Sequence, residues 1–374
     1  MQPRDAVPAL PGLLSADDIV ATARTIAAAQ EPSGAIPWFP GGHTDPWDHV
    51  ECAMALAAAG LRDEAVRAYE WLARTQSADG SWPSKVVAGD VADTHREPHQ
   101  CAYVAVGVWH HVLVTGDTSF AARMWPAVRR AVDFVVGLQD DRGTIPWAVN
   151  SEGGYADGAL LTGSSSTYQS LRCALALADL LGEEQPEWEL AACELLHALS
   201  AHRDEFLDKS RFSMDWYYPV LGGWLTGAAA RAELDTKWVE FVVPDLGARC
   251  VSDQPWVTGA ESSELVLALD NAGRRDQALA LLADIQHLRE PDGSYWTGWQ
   301  FAHQVFWPDE HSTWTAAAVI LAVDALSRTT PANGIFRGDG LPAVTEISGP
   351  GCGCRSRRSA VRAAQDRPTQ NRST

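Results

Sequence analysis

One phrase recurs six times along the 374 residues. Each copy opens on a glycine or aromatic stop. A loop of tryptophan, carboxylates and hydroxyls follows, and then a helix of small apolar residues. The copies start at Gly34, Gly80, Gly143, Phe212, Ser252 and Gly293, as in GAIPWFPGGHTDPWDHVECAMALAAAG and GSWPSKVVAGDVADTHREPHQCAYVAVGVW. Such a period constrains the fold more than any single motif, because each unit buries its apolar face only against its neighbours. If the loops all point one way, Trp, Asp, Glu, His and Tyr gather around one mouth.

Between the loops the pattern is helical. In DEAVRAYEWLARTQ (63–76), Val66, Tyr69, Leu72 and Ala73 share one face and the charges the other. That is the three-four spacing of a half-buried helix. SFAARMWPAVRRAVDFVVGL and RRDQALALLADIQHL repeat it. AMALAAAG, YVAVGVW, CALALADL, LTGAAARA and AAAVILAVDAL are instead apolar or small nearly all round. A helix without a polar face is buried. The predicted order is therefore outer then inner, six times over. The pairs are 17–30 with 46–59, 63–76 with 98–114, 119–138 with 166–181, 187–206 with 218–232, 235–250 with 260–272, and 274–288 with 311–327. Six such hairpins close most economically as an all-α (α/α)6 barrel, a double ring of helices. An open solenoid would need polar capping repeats, and none is visible. The expected layout is a segment 1–14, a toroid domain 15–330, and a disordered or accessory tail 331–374 that holds Cys352 and Cys354.

A formal net charge of -19 argues against a nucleic-acid partner, which would need a basic stripe. No apolar run approaches the ~18 residues that span a bilayer. The N-terminus lacks the basic and apolar regions of a secretion signal. The seven cysteines are odd in number, and most lie within apparent helices. They read as buried thiols in a reducing compartment, so a cytoplasmic setting is expected.

Two segments resemble the six-hairpin glycosidases, the glucoamylases and their relatives. TGDTSFAARMWPAVRRAVDFVVGLQDDRGTIPW, from Thr115, is similar to a hairpin of those enzymes. GGYADGALLTGSSSTYQSLRCALALADLLG, from Gly153, is similar to the segment that carries their general acid. Here the acidic positions fall at Ala159 and Leu160, and the nearest carboxylate is Asp157. RAYEWLARTQSADGSW (67–82) resembles instead the Gln–Trp repeat of terpenoid cyclases, whose superfamily shares this toroid with the protein prenyltransferases. The cyclases' Asp-rich proton donor and the prenyltransferases' zinc ligands have no counterpart here.

Glycoside cleavage needs two carboxyl groups across the sugar. The glycosidase resemblance places the base in the loop before the last helix, at Asp309 or Glu310 of FWPDEHSTW. Asp157 or Glu97 would be the acid. The other loop acids have capping explanations as well. Asp45-Pro46-Trp47-Asp48 and Thr258-x-x-Glu261 read as helix starts, and Asp309 reads equally as a cap. In DTHREPHQ, Asp93, His95 and Arg96 are placed to grip a sugar substituent. Trp38, Trp47, Trp147, Trp216, Trp256 and Trp307 supply flat apolar faces. Asp48, Tyr168, Gln169, Tyr217, Glu261 and His311 supply polar contacts. Some of these side chains would serve only as packing anchors. His95 and His99 have the i, i+4 spacing of zinc ligands, but Pro98 starts a helix between them, so no metal is expected. No phosphate-binding glycine loop is present, and no cofactor is expected. The expected activity is glycoside hydrolysis on a saccharide or glycosylated metabolite. An enzyme acting on an isoprenoid and a non-catalytic glycan-binding toroid are the alternatives.

Overall fold

The computed structural model describes residues 6–344. In chain order its helices and strands begin with α1 (Ala16–Ala29), α2 (Pro46–Ala58), α3 (Arg62–Thr75), β1 (Lys85–Val87) and β2 (Asp90–Asp93). Next come α4 (Pro98–Ala102), α5 (Val104–Thr115), α6 (Thr118–Val136), α7 (Leu161–Leu181) and α8 (Pro186–Ala201). Then follow α9 (Ser213–Leu221), α10 (Gly227–Thr236), α11 (Trp238–Phe241), β3 (Val242–Val243), β4 (Gly247–Arg249) and β5 (Trp256–Thr258). The last are α12 (Gly259–Asn271), α13 (Arg275–Asp284), β6 (Gly298–Gln300), β7 (Val305–Phe306) and α14 (Thr313–Ser327).

The (α/α)6 architecture is present. The inner helices α2, α5, α7, α9, α12 and α14 pack side by side, and α14 returns against α2 to close the ring. Outside them lie α1, α3, α6, α8, α10 and α13. Composition explains the sorting. In α14 every residue from Thr313 to Leu326 is buried, whereas α3 buries only Ala65, Ala68, Tyr69, Trp71 and Leu72.

Neighbouring outer helices are joined by one repeated device. Gln30, Gln76 and Gln139 stand at the ends of α1, α3 and α6. Each side-chain amide donates to the carbonyl of a glycine four residues on and to a carbonyl of the next outer helix. Gln76 reaches Gly80 at 2.8 Å and Ala127 at 2.9 Å. Gln30 bridges Gly34 and Glu64, and Gln139 bridges Gly143 and Ala191. The three glycines have φ of 97°, 92° and 81°. A Cβ there would strike the carbonyl of Arg67, Arg130 or Glu194 on the next helix. Gly293 (φ 95°) makes the same close approach to Ala21 and Thr22 of α1, which closes the outer ring. The Gln76-to-Trp82 phrase is therefore accounted for by this joint; the Trp82 indole is buried and donates to the Leu72 carbonyl at 3.0 Å.

Three expectations need correction. The small-residue stretch LTGAAARA is not an inner helix. It falls largely on α10, where Gly227, Ala228 and Ala229 are exposed and only Ala230 and Leu234 are buried. Alanine tolerates either environment, so small size does not report burial. The inner helix of that hairpin is α9, stopped by Gly222 and Gly223 (φ 76°). The outer helix expected at 235–250 gives way to β3 and β4, where paired valines and Gly247 favour strand. Together β3–β4–β5–β6–β7 form an antiparallel sheet at the mouth, and β1–β2 form a separate hairpin on the loop before α4, bridged to Thr44. Finally, the chain stays packed beyond 331. Ile335, Phe336 and Leu341 are buried, and Arg337 pairs with Asp270 at 2.6 Å. This apolar patch is too short to show a period. Cys352 and Cys354 lie outside the described residues.

The five described cysteines are free, with Cys52, Cys101 and Cys173 buried. Among the described residues no helix is long and apolar enough to cross a membrane.

The joint makes a testable distinction between glycines. Gly60 also has positive φ (87°) but faces open space. Gly80→Ala should cost about 3 kcal/mol, combining left-handed strain with overpacking, and Gly60→Ala about 1 kcal/mol. Denaturant midpoints of the two variants measure the difference.

Candidate active site

The long outer-to-inner loops and the N-terminal ends of the inner helices enclose a cavity of about 460 Å³. Its apolar wall is Trp38, Trp47, Leu160, Phe212, Met214 and Trp314. Its polar groups include Asp45, Asp48, Glu97, His43, His99, Gln100, Lys85 and Lys209.

The acids are placed by helix starts. Asp45 caps α2, with Pro46 at the first position, and its Oδ1 accepts the Asp48 backbone N–H at 3.0 Å. Burial, reinforced by the Asp45 charge, holds the Asp48 carboxyl well above the usual carboxylate range. Glu97 precedes Pro98 at the start of α4. Burial first, then the charges of Asp45 and Asp93, push it up to about 7. His99 Nε2 lies 3.4 Å from Glu97, and burial lowers the imidazole to about 4, so the ring is neutral near pH 7.

Beneath this layer a second set of carboxyls holds the wall. Glu51 Oε1 accepts the Trp47 indole N–H at 3.2 Å and the Tyr103 hydroxyl at 2.9 Å. Its Oε2 accepts the Trp314 indole N–H at 2.7 Å. Burial pushes Glu51 up to about 7 despite these donors. Glu264 accepts the hydroxyls of Tyr217 and Tyr218, and burial together with the Glu51 charge raises it well above its ordinary range. Glu310 Oε1 accepts the Trp38 indole N–H at 2.7 Å and the Thr297 hydroxyl at 3.2 Å.

Of the residues singled out in the sequence, Trp38, Trp47, Asp48 and Glu97 line the cavity. Trp147 lies behind them, in a small hollow shared with His99 and Leu160. Asp157 and Asp309 are exposed and stand outside the cavity lining. Asp309 is not a cap either, since the Ser312 hydroxyl caps α14. Glu310 anchors a wall residue. Asp93 bonds His95 at 2.8 Å, and Arg96 bonds Asp79 at 2.7 Å, so this trio builds the rim. Trp216 faces outward, stacked on Phe241 and bonded to the Glu233 carbonyl. Tyr168 lies under Arg172, and Gln169 reaches the Ile335 carbonyl, so both belong to the packing around the C-terminal segment. Tyr217 serves Glu264. Glu261 is buried in the first turn of α12, and the expected Thr258 cap bond is not made. The His311 ring packs against Trp296 at 4.1 Å, tilted by 42°, and Trp256 meets Trp307 edge to face at 4.8 Å.

Sequence reasoning passed over Phe212, Met214, Lys85 and Lys209 of the lining, and Tyr103 beneath it. Glu51 and Glu264 were not singled out either. A signal for these two existed: each is a carboxylate inside an otherwise apolar inner helix, HVECAMALAAA and SSELVLALDN. A buried acid there must find donors.

No family model matches the chain. It is 58% identical over 342 residues to the MMP endo-(1,4)-3-O-methyl-alpha-D-mannosidase of Mycolicibacterium hassiacum, covering 91% of this chain and 95% of that protein. Among solved structures it resembles a glycosidase in complex with glucose, with TM-score 0.67, 15% identity, and coverage of 87% of this chain and 98% of that one. It also resembles a D-mannose isomerase, with TM-score 0.63, 13% identity, and coverage of 84% and 99%. A rhamnosidase from Klebsiella oxytoca with rhamnose bound gives TM-score 0.58, 15% identity, and coverage of 86% and 66%. These distant likenesses show the fold.

The raised carboxyls link stability to pH. Glu51 and Glu97 hold their protons more tightly folded than unfolded. Their contribution is full below the unfolded carboxylate range, ~4.3, and is lost as pH rises through about 7. The denaturation midpoint should fall between about pH 5 and about pH 8, and less steeply in Glu51→Gln. Equal slopes in the two proteins would contradict the assignment.

Proposed function

The chain belongs to the family of that endo-mannosidase and is a glycoside hydrolase, and we propose that it cleaves α-(1,4)-linked, 3-O-methylated mannose polymers at internal bonds. One observation carries this reading. A single cavity joins a carboxyl that titrates near neutrality, a second pair of carboxyls, and an apolar wall built mainly of indole, phenyl and thioether side chains.

Glu97 is the proton donor. Raised to about 7, it keeps its proton on a large share of molecules at neutral pH and can pass it to the departing glycosidic oxygen. The Asp45–Asp48 pair supplies the second carboxyl function, facing the anomeric carbon directly or through a water. Asp45 draws the Asp48 backbone toward itself, so the two act as one unit. Neutral His99 adds no further positive charge beside Glu97 to that of Lys85, so burial still decides the direction of its shift. Met214, Phe212, Trp38 and Trp314 suit a methylated sugar. An O-methyl group removes a hydroxyl donor and adds apolar surface, so it enters this wall without leaving a buried donor unpaired. The Gln–Trp phrase is accounted for by outer-ring architecture, and the isoprenoid alternative is not carried forward.

Oligosaccharides of 3-O-methylated α-(1,4)-mannose, digested and sized by mass spectrometry, test the proposal. Internal fragments are expected from the outset, and unmethylated chains should be cleaved at least about tenfold more slowly. Glu97→Gln should lower kcat by about 10²–10⁴. In the wild type kcat/KM should fall as pH rises through about 7, because the donor loses its proton. Release of single sugars only, or a Glu97→Gln enzyme of full activity, would overturn it.

A further inference from the structure

Trp256 and Trp307 were marked in the sequence, and neither reaches the cavity. They sit on the sheet at the mouth. The strand β5 carries Trp256 and runs straight into the inner helix α12, while β7 is the sheet's edge strand. On and just past that edge Val305, Phe306 and Trp307 are 46%, 36% and 51% exposed. Exposed apolar runs on edge strands invite unwanted pairing, so one that persists beside a site has a use. Trp307 is also held in place. Its ring packs edge to face with Trp256 at 4.8 Å, the Trp256 indole N–H donates to the Trp307 carbonyl at 2.9 Å, and the neighbouring Phe306 stacks on Trp296 at 4.9 Å with 9° between the planes. A ring fixed in advance loses little freedom on binding. The strip is tied to the cavity wall through the chain, since Glu310, three residues on, accepts the indole N–H of the wall residue Trp38.

We propose that Trp307, backed by Trp256 and Phe306, is a distal sugar-binding platform for the polysaccharide chain beyond the scissile bond. Its occupant is an O-methylated mannan strand. A chain cut in its interior must leave the cavity across the rim. Methylated sugars present C–H and methyl surface that stacks on an indole face. This rests on the reading above that the enzyme cuts within chains.

The test is a length series of 3-O-methylated α-(1,4)-mannan oligosaccharides with wild type, Trp307→Ala and Trp307→Phe. For the longest substrates Trp307→Ala should raise KM about tenfold at unchanged kcat; for the shortest it should change KM by less than about twofold. Trp307→Phe should restore most of the difference, and the melting temperatures should agree. An unchanged KM at every length overturns the platform. If wild type cleaves none of the series, the functional reading fails instead. The platform is then judged by calorimetric binding of the longest oligosaccharide, where equal affinity for wild type and Trp307→Ala overturns it. A concentration-dependent wild-type dimer that Trp307→Ala abolishes would give the strip to a second copy and also overturn the proposal.

Discussion

The Glu51 carboxylate is the point on which both the ring and the site depend. It sits on the first inner helix, α2. Its partners are Tyr103, at the junction of α4 and α5, and Trp314, at the start of α14. One side chain therefore ties the first inner helix to its neighbours on both sides, including the last. The alternative is costly. A buried carboxyl without donors pays a large desolvation penalty, and two indole N–H groups would lose their acceptor at the same time. The same contacts set the angles of Trp47 and Trp314 in the cavity wall. Closing the barrel and shaping the pocket are thus one act.

A division of labour among acids follows from depth. Asp45, Asp48 and Glu97 reach the cavity, whereas Glu51, Glu264 and Glu310 face aromatic donors behind it or beside it. The two sets are alike in composition and nearly alike in sequence setting. Only three-dimensional placement tells an acid that meets substrate from one that holds a tryptophan.

This explains what was legible in the chain. The sixfold phrase and the contrast between one-faced and all-round apolar helices revealed the double ring, because periodicity reports burial directly. Asp48, Glu97 and Trp47, at helix starts, and Trp38, on a long loop, were legible as residues of the mouth, and all four line the cavity. Asp309 and Asp157, picked out by a resemblance that locates a loop without fixing which way its side chains point, lie exposed outside the cavity lining. Trp216 and Tyr168 show a second limit. Aromatic residues on inner helices serve either the cavity or the seam with the outer ring, and one turn of helix decides which. The α10 segment shows a third, since alanine-rich text carries no burial preference of its own.

The path of the chain also has a consequence for how the molecule comes into being. Trp38 meets Glu310 across 272 positions, and Glu51 meets Trp314 across 263. Gly293 docks on α1. Part of the cavity wall is therefore shared between the first and last hairpins. While the chain emerges from the ribosome, the earlier hairpins can stack with that part of the wall still missing. Until the last is made, Glu51 on α2 lacks the Trp314 indole and Trp38 lacks its Glu310 acceptor. Such distant closure is slow, and it leaves apolar surface waiting. Catalytic competence arrives late, all at once, and only in a chain that is nearly finished.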